Sequence, residues 1–225
     1  MSPRPRLSQE ETQEHARRLI EAAFRVAAAT GDAEPPVRSK LREAGLSRQV
    51  FYRCFQSKHE LMEAVLAEGR RILADYLMAR MDLARTPEDK VRAWVTGVMR
   101  QAQAVSAAER TRPFIVSPPK AVRSSEDPTL TERLVSQMLE DAIAAGSTAG
   151  SWESSDPATD ALIIHDFVFS SMRRHLAREE RPSRETTERI ADFALRGLGA
   201  GPNASLPTDG PEVSRVRRTL SPTPW

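Results

Sequence analysis

The sequence has few of the residues that build metal centres and disulfide frameworks. Its 225 residues include one cysteine, Cys54, and four histidines. A single cysteine excludes a disulfide within the chain and any site built from several thiolates, and it is typical of a reducing compartment. The histidines are scattered, and none pairs with a carboxylate at the spacing of a metal-binding motif. We therefore expect no metal and no cofactor.

Long apolar runs are also missing. No uninterrupted apolar segment approaches the roughly 20 residues that are needed to cross a bilayer. The first residues of the chain lack the apolar stretch of a secretory signal peptide. We therefore expect a cytoplasmic protein with no membrane partner.

Groups that could perform catalysis do not converge. Ser117 and Lys120 have a Ser-x-x-Lys spacing, but two prolines between them break the helix which that chemistry requires. The glycines of residues 197–201 follow a predicted helix instead of a strand, so the context of a dinucleotide-binding loop is absent. We therefore expect no enzymatic activity and assign no catalytic residue.

The pattern that is present is the apolar period of α-helices, whereas strand-like alternation is hard to find. With 40% hydrophobic residues the chain can bury a core. Residues 199–225 contain five prolines and no apolar period, so we expect a disordered tail there. The pattern predicts an all-α fold of about nine helices, at approximately residues 9–30, 36–44, 47–54, 57–84, 87–108, 112–124, 128–145, 157–179 and 183–198.

Side chains that cap helix starts support these boundaries. Ser8 with Glu11, and Ser57 with Glu60, have the spacing of the capping box, in which the two side chains satisfy each other's backbone N–H groups. Further predicted helix starts follow the capping residues Thr86, Asp127, Asp156 and Ser183. Predicted helix ends coincide with the glycines Gly31, Gly45, Gly146 and Gly197.

The strongest functional signal lies in residues 37–58. This segment holds six basic residues and one acidic residue, so its charge is +5; since the whole chain carries +2, the remainder carries −3. A compact basic segment in a slightly acidic protein is an electrostatic footprint for a nucleic-acid backbone. Charge alone leaves a solvated, arginine-rich helix face as the alternative.

The order of residues in this segment predicts a helix-turn-helix. A first short helix ends at Gly45, where the chain turns. Ser47 caps a second short helix, whose Phe51 and Phe55 lie one turn apart on the inner face. In a helix-turn-helix the second helix enters the major groove of DNA. Its outward side chains supply donors for base edges and phosphates: Arg48, Gln49, Tyr52 and Arg53.

Residues 44–61, with the sequence AGLSRQVFYRCFQSKHEL, resemble the AGVSxGTLYxHFxSKExL stretch of the TetR family of bacterial transcriptional regulators. The resemblance covers residues 12–66, since the preceding helix, with Phe24 and Gly31, is similar to the first helix of that family. It implies a three-helix DNA-binding domain at residues 9–66, with its helix-turn-helix at 36–55. A larger helical domain for ligand binding and dimerisation is then expected at 67–198.

The resemblance also implies roles for individual residues. Arg48, Gln49 and Val50 match positions that face base edges, whereas Ser47, Tyr52 and Lys58 match positions that touch phosphates. Lys58 also lies at a predicted helix N-terminus, where free N–H groups favour an anion. The expected DNA-binding set is Arg38, Ser47, Arg48, Gln49, Val50, Tyr52, Arg53 and Lys58.

Several positions depart from the family pattern. Pro36 replaces the usual threonine cap, and Gln49 and Val50 replace the common Gly-Thr pair, so the base preference of relatives does not carry over. Lys40 stands where relatives usually have a buried aliphatic residue, and we expect its stem to pass Leu41 while the amine reaches water. Cys54 replaces a histidine, which removes one phosphate contact. We predict that Cys54 is a small, mostly buried hydrophobic residue; a redox switch is the alternative.

The helix predicted at residues 157–179 has two apolar stripes, which is typical of a helix that packs on its own core and on a second surface. With the last helix it can form a four-helix interface across a two-fold axis, which suits a palindromic DNA site. The alternative is that both helices are central in a monomer. The predicted dimer residues are Ile163, Phe167, Ser170, Ser171, Ile190 and Ala194.

The same domain is expected to bind a small hydrophobic effector in an apolar cavity with one polar group. Each residue of the candidate lining, taken singly, is better explained by core packing. The predicted lining residues are Trp94, Met99, Phe114, Met138, His165, Phe169 and Met172.

Together these patterns predict a homodimeric transcriptional repressor. It would bind a palindromic operator of double-stranded DNA and leave it when the effector binds. The alternative is an all-α small-molecule-binding protein whose DNA binding is weakened or lost, and Lys40 favours this alternative.

Overall fold

The computed structural model describes residues 8–119 and 130–200, with the side chains of residues 130–132 excepted. All regular structure within these ranges is α-helical, which confirms the predicted fold class. The nine helices that these ranges contain are α1 (Gln9–Thr30), α2 (Val37–Ala44), α3 (Arg48–Cys54), α4 (Lys58–Asp82), α5 (Pro87–Gln103), α6 (Val105–Val116), α7 (Leu130–Thr148), α8 (Pro157–Ala177) and α9 (Arg184–Gly197).

Capping side chains begin most helices where the sequence predicts. Ser8 and Glu11 form the reciprocal capping box of α1, with bonds of 3.1 and 2.7 Å. Only half of the box predicted for α4 forms. The Ser57 hydroxyl accepts from the Glu60 N–H at 3.1 Å, but the Glu60 carboxylate accepts from the N–H of Gln56 at 2.5 Å, one residue before the cap. The caps of α5, α8 and α9 are as predicted: Thr86, Asp156 and Ser183.

The prediction of a single helix at residues 87–108 is wrong, because two helices occupy this stretch. The first, α5, ends at Gln103, and Ala104 is extended with φ −80° and ψ 130°. The second, α6, begins at Val105, includes Pro113 and ends at Val116. The short piece predicted at 112–124 is therefore the second half of α6 as far as Val116. Residues 120–129, including the cap predicted at Asp127, lie outside the described ranges, as do residues 201–225 of the predicted tail.

The prediction that a helix ends at Gly146 is also wrong, because α7 continues to Thr148. Gly146 has a packing role: a Cβ atom there would lie 1.9 Å from the Trp152 ring. Trp152 is 4% exposed and its indole N–H donates to the Ile143 carbonyl at 3.0 Å. Because position 146 is a glycine, the Trp152 ring can pack directly against α7 and join the buried side chains there.

Buried hydrophobic side chains form two clusters. The first cluster is contributed by α1, α2, α3 and the start of α4, and includes Leu19, Phe51, Phe55, Leu61 and Val65. The second cluster is contributed by the far end of α4 and by helices from α5 onward, and includes Leu77, Trp94, Val98, Leu139, Val168 and Leu195. One continuous helix, α4, thus has buried residues in both clusters and connects them. No helix of the described ranges is long and apolar enough to span a bilayer.

Candidate nucleic-acid interface

The turn between α2 and α3 is a glycine-dependent helix stop. Gly45 has φ 62° and ψ 36°, in the left-handed region that glycine adopts without strain. The Leu46 N–H donates to the Leu41 carbonyl at 3.0 Å, which closes the end of α2. The Ser47 hydroxyl then accepts from the Val50 N–H at 3.3 Å and begins α3. The chain therefore forms the helix-turn-helix predicted from its sequence.

The inner face of α3 is anchored by two aromatic residues. Phe51 and Phe55 are 2% and 6% exposed and lie in the first cluster. Their ring centroids are 6.1 Å apart, and the Phe51 ring also contacts the Tyr52 ring at 5.1 Å. Because these two side chains hold one side of the short helix, the opposite side faces solvent.

The solvent side of α3 carries the side chains that the sequence predicted for DNA binding. Tyr52 is 55% exposed, and Val50 is half-buried. Arg48 stacks on Tyr52: its guanidinium carbon is 5.7 Å from the ring centroid, and its Nη2 donates to the phenol oxygen at 3.3 Å. The exposed members of the predicted set are Arg38, Ser47, Arg48, Gln49, Tyr52, Arg53 and Lys58.

Two arginines of α1 hold α2 in place, and sequence reasoning missed both. Arg18 donates to the carbonyl of Ala44 at 2.6 Å, at the last residue of α2. Arg25, two turns further along α1, pairs with Glu43 at 2.7 Å. The spacing of seven residues puts the two arginines on one side of α1, which is the only signal the sequence contains. They position the helix-turn-helix against the rest of the first cluster.

Lys40 differs from its prediction. The residue is 2% exposed, so the side chain is enclosed beside Ala44 and does not place its amine in open water. Burial lowers the pKa of the Lys40 amine, and the positive charge of Lys58 lowers it further. The packing of α2 therefore accepts a lysine where an aliphatic residue is expected, at an electrostatic cost.

Cys54, at the end of α3, is half-buried, and its Sγ donates to the Thr12 carbonyl at 3.6 Å. Burial raises the pKa of the Cys54 thiol. A raised pKa disfavours the thiolate and so disfavours redox reactivity.

Most of the predicted effector-lining residues lie together in the second cluster. The Trp94 ring packs beside a stacked pair: its centroid lies 6.0 Å from that of His165 and 6.1 Å from that of Phe169, and the His165 and Phe169 rings stack at 4.3 Å. The Trp94 indole N–H donates to the Val135 carbonyl at 3.0 Å, and His165 Nδ1 lies 3.1 Å from Asp166. Three methionines pack in the same cluster: Met99, Met138 and Met172.

Phe114 does not lie with them, which corrects its assignment to the effector lining. Helix α6 crosses from the second cluster toward α1, so that its second half reaches the first cluster. The Phe114 ring packs edge-on against the Phe24 ring there, with centroids 5.6 Å apart.

The outer faces of α8 and α9 present an exposed apolar surface. Leu162, Ile163 and Phe193 are 59%, 61% and 58% exposed. The Phe193 ring packs on the Phe167 ring at a centroid distance of 5.0 Å, and beside them runs an open groove of about 420 Å³, which Ile190 also lines.

Three further members of the predicted dimer set flank this surface or lie beneath it. Ser170 is exposed, and Ser171 is half-buried with its hydroxyl donating to the Phe167 carbonyl at 2.9 Å. Ala194 is 3% exposed inside the second cluster, so its assignment to the dimer surface is wrong. The helical phase places the neighbouring Phe193 outward in its stead.

No protein-family profile and no curated protein matches the chain, but solved structures share its fold. A bacterial regulatory protein in the TetR family from Rhodococcus RHA1 is 21% identical, with 84% of this chain and 98% of that chain covered and a TM-score of 0.59. RolR in complex with resorcinol is 14% identical, with 90% and 100% covered and a TM-score of 0.63. AibR in complex with isovaleryl coenzyme A and operator DNA is 18% identical, with 82% and 97% covered and a TM-score of 0.54. The chain therefore has the fold of TetR-family regulators, as the resemblance of residues 44–61 predicts.

Proposed function

We propose that the protein is a sequence-specific DNA-binding transcriptional regulator. In this proposal it is a repressor that binds a palindromic operator as a homodimer and leaves it when a small hydrophobic effector binds. The observation that carries the proposal is the α3 surface, where buried Phe51 and Phe55 hold a short helix with donor side chains facing solvent. AibR, which shares the fold, was solved with operator DNA, and this supports the assignment.

The α3 surface suits the two kinds of contact that a DNA reader needs. Arg48 and Gln49 have the donor geometry for guanine and adenine edges in the major groove. The stacking of Arg48 on Tyr52 restricts the guanidinium before DNA arrives, so less side-chain entropy is lost on binding. Lys58, the first residue of α4, combines its own charge with the helix N-terminus and suits a phosphate.

The homodimer is supported by the apolar surface of α8 and α9. Exposing a patch that includes Ile163 and Phe193 to water is unfavourable. In a dimer with two-fold symmetry, the patch of one chain would be buried against the same patch of the other. The rim of the groove is polar: Arg189 and Arg196 lie there with Asp192, which pairs with Arg92 at 2.6 Å within the chain. A dimer would present two α3 helices to successive major grooves.

We assign one function to each of the two regions that the buried clusters define. Residues 9–66 would form the DNA-binding domain, and residues 67–198 would bind the effector and dimerise. The aromatic group of Trp94, His165 and Phe169 is the proposed effector region, with the imidazole as its polar group. RolR binds resorcinol, and its shared fold supports a small aromatic or apolar effector.

Fluorescence anisotropy with the full chain tests the DNA-binding part of the proposal. DNA from upstream of the protein's own gene is compared with a random duplex of equal length at the same salt concentration. We expect the upstream DNA to bind at least about 1,000-fold more tightly. The control variant is Arg71→Ala, which removes an arginine outside the α3 surface and should bind both duplexes as the parent does. Arg71 is exposed on α4 and is paired with Glu68 and Asp75. A folded dimer that binds neither duplex would favour the alternative, a small-molecule-binding protein without DNA binding.

A further inference from the structure

Arg18 lies next to the turn that joins α2 to α3. Its Nη2 donates to the carbonyl oxygen of Ala44 at 2.6 Å, although the two residues are 26 positions apart in the chain. A Cβ atom at Gly45 would lie 3.5 Å from the same Nη2, so the guanidinium also neighbours the glycine at which the chain turns. Arg18 is half-buried. One side chain of α1 is therefore bonded to the backbone of the turn itself.

The Ala44 carbonyl needs a donor from outside α2. The last carbonyl groups of a helix have no N–H partner within that helix, and the N–H groups of Gly45 and Leu46 bond to earlier carbonyls of α2. Ala44 is 5% exposed, so little of it is open to water. A charged donor is well placed here, because the helix dipole puts partial negative charge at this end of α2. The bond to Arg18 therefore fixes the peptide plane between Ala44 and Gly45.

The side chains that are proposed to read DNA follow this turn almost directly. Only Leu46 separates Gly45 from Ser47, the cap of α3, and Arg48 is the first residue of that seven-residue helix. A shift of the turn therefore displaces α3 as a whole. Contacts to base edges require side chains that keep their places to within about 0.5 Å, whereas contacts to phosphates give affinity without sequence information. A displaced α3 should thus lose discrimination before it loses binding.

The second bond between α1 and α2 is of a different kind. Arg25 Nε donates to Glu43 Oε1 at 2.7 Å, and the two side chains are 35% and 43% exposed. Ion pairs with such exposure contribute little to stability. The bond also ends on a side chain, which can change its rotamer without moving the backbone of the turn. The two arginines are therefore expected to differ in their effect on α3.

We propose that Arg18 is a positioning residue for DNA recognition, which sets how strongly α3 discriminates between operator and random DNA by holding the Ala44 carbonyl. The inference rests on the proposed DNA-binding function and adds a residue outside the α3 surface on which recognition depends. Arg18 contacts no DNA in this role. Its removal changes the sequence preference of the protein, whereas the number of phosphate contacts stays the same.

The test is fluorescence anisotropy of the full chain, with DNA from upstream of its own gene and with a random duplex, at several salt concentrations. Arg18→Met keeps a long apolar stem and removes every donor. We expect it to lower the ratio of the two affinities about 10-fold, the value of one lost base contact, and to leave the random-duplex affinity and the salt slope unchanged. Arg18→Lys restores a charged donor and should recover part of the ratio.

Two other arginines of α1 supply the matched controls. Arg17 is 61% exposed and pairs with Glu14 and Glu21 on the same helix, so Arg17→Met removes an equal charge and leaves the bond to Ala44 in place. Arg25→Met removes the second bond to α2. Both variants should keep the parental ratio of affinities.

An Arg18→Met protein with the parental ratio would overturn the proposal. So would an equal loss on both duplexes with a lower salt slope, which would mean that Arg18 contacts a phosphate directly. Urea unfolding first establishes that each variant is folded. If Arg18→Met does not fold, the shorter Arg18→Gln replaces it, and failure of both would show that Arg18 maintains the fold and sets no preference. A parent that binds both duplexes equally contradicts the proposed function itself, and the parent alone reveals that outcome.

Discussion

The ring of Phe114 on α6 packs edge-on against the ring of Phe24 on α1, with an interplanar angle of 69°. Phe24 is 5% exposed, and its ring also faces Gly69 of α4, where a Cβ would be in ordinary van der Waals contact with Phe24 Cζ at 3.5 Å. This aromatic pair joins a helix that begins in the second cluster to the helix that carries Arg18 and Arg25. A movement of α6 would thus reach the elements that position the helix-turn-helix.

We expect Phe114→Ala to loosen α1 without unfolding the chain. Replacing a fully buried phenylalanine by alanine lowers the free energy of unfolding by about 3–5 kcal/mol. Because Phe114 is half-buried, we expect a decrease of about 2 kcal/mol, measured by urea unfolding. Hydrogen exchange should show faster exchange of the α1 amides. Val116→Ala on the same helix is the control, because Val116 is 46% exposed. Unchanged α1 protection in Phe114→Ala would mean that the pair does not connect the two clusters mechanically.

Arg48 and Lys58 should respond differently to substitution by alanine. Arg48 stands on the solvent face of α3, so Arg48→Ala should reduce discrimination between operator and random DNA by about 1–3 kcal/mol. Lys58→Ala should weaken binding to all sequences and reduce the salt slope by about one unit per subunit. Anisotropy titrations over a range of salt concentrations measure both quantities. Equal loss on every sequence in both variants would contradict the assignment of α3 as the reading helix.

Phe193→Glu should separate the proposed dimer while leaving the monomer folded. The side chain is 58% exposed in the single chain, so a carboxylate there stays hydrated in the monomer but would be buried in the α8–α9 interface. An unpaired charge in an interface costs several kcal/mol. Light scattering should show monomers, and operator affinity should fall because two half-sites are no longer bound together. Leu134→Glu on α7, where Leu134 is 41% exposed, is the control; if it dissociates the dimer and Phe193→Glu does not, the interface lies elsewhere.

The features that the sequence predicted correctly are those that depend on neighbours along the chain. Ser8, Ser183 and Gly45 act on backbone groups within a few residues, so their spacing contains the whole interaction. The solvent face of α3 follows from Phe51 and Phe55, which fix the phase of a two-turn helix. The same local logic predicts an all-helical chain, since the apolar period is visible within each helix.

The errors concern residues whose environment is set by distant helices. Nothing near Ala104 breaks a helix by itself, and Pro113 lies inside α6 where a sequence argument would place a break. Phe114 and Ala194 have apolar side chains that fit either cluster or interface, and only the crossing of α6 and the phase of α9 decide. The guanidinium carbon of Arg100 on α5 lies 6.0 Å from the centroid of the Tyr76 ring on α4, a contact between two helices that no local pattern indicates.

Lys40→Met should stabilise the protein at neutral pH. Burial lowers the pKa of the Lys40 amine in the folded state below its ordinary value of 10.5, so the unfolded chain holds that proton more tightly. The charged amine is therefore a destabilising group below the folded-state pKa, and the penalty disappears as the pH rises through that pKa to the unfolded value. Glu34 and Asp32 oppose the shift but do not cancel it. Removing this buried charge should therefore raise the free energy of unfolding by about 1–3 kcal/mol at pH 7.

The pH dependence of this difference tests its cause. In urea titrations the advantage of Lys40→Met over the parent should shrink as the pH rises from neutral toward 10.5, because the parent then loses its buried charge. Arg42→Met is the matched control, since Arg42 is exposed on the same helix and does not contribute to the pKa shift of Lys40; its difference from the parent should be small at neutral pH. An advantage of Lys40→Met that stays constant with pH would show that methionine packs better and that charge burial contributes nothing. A loss of stability would mean that the Lys40 amine supports the packing of α2 beside Lys58.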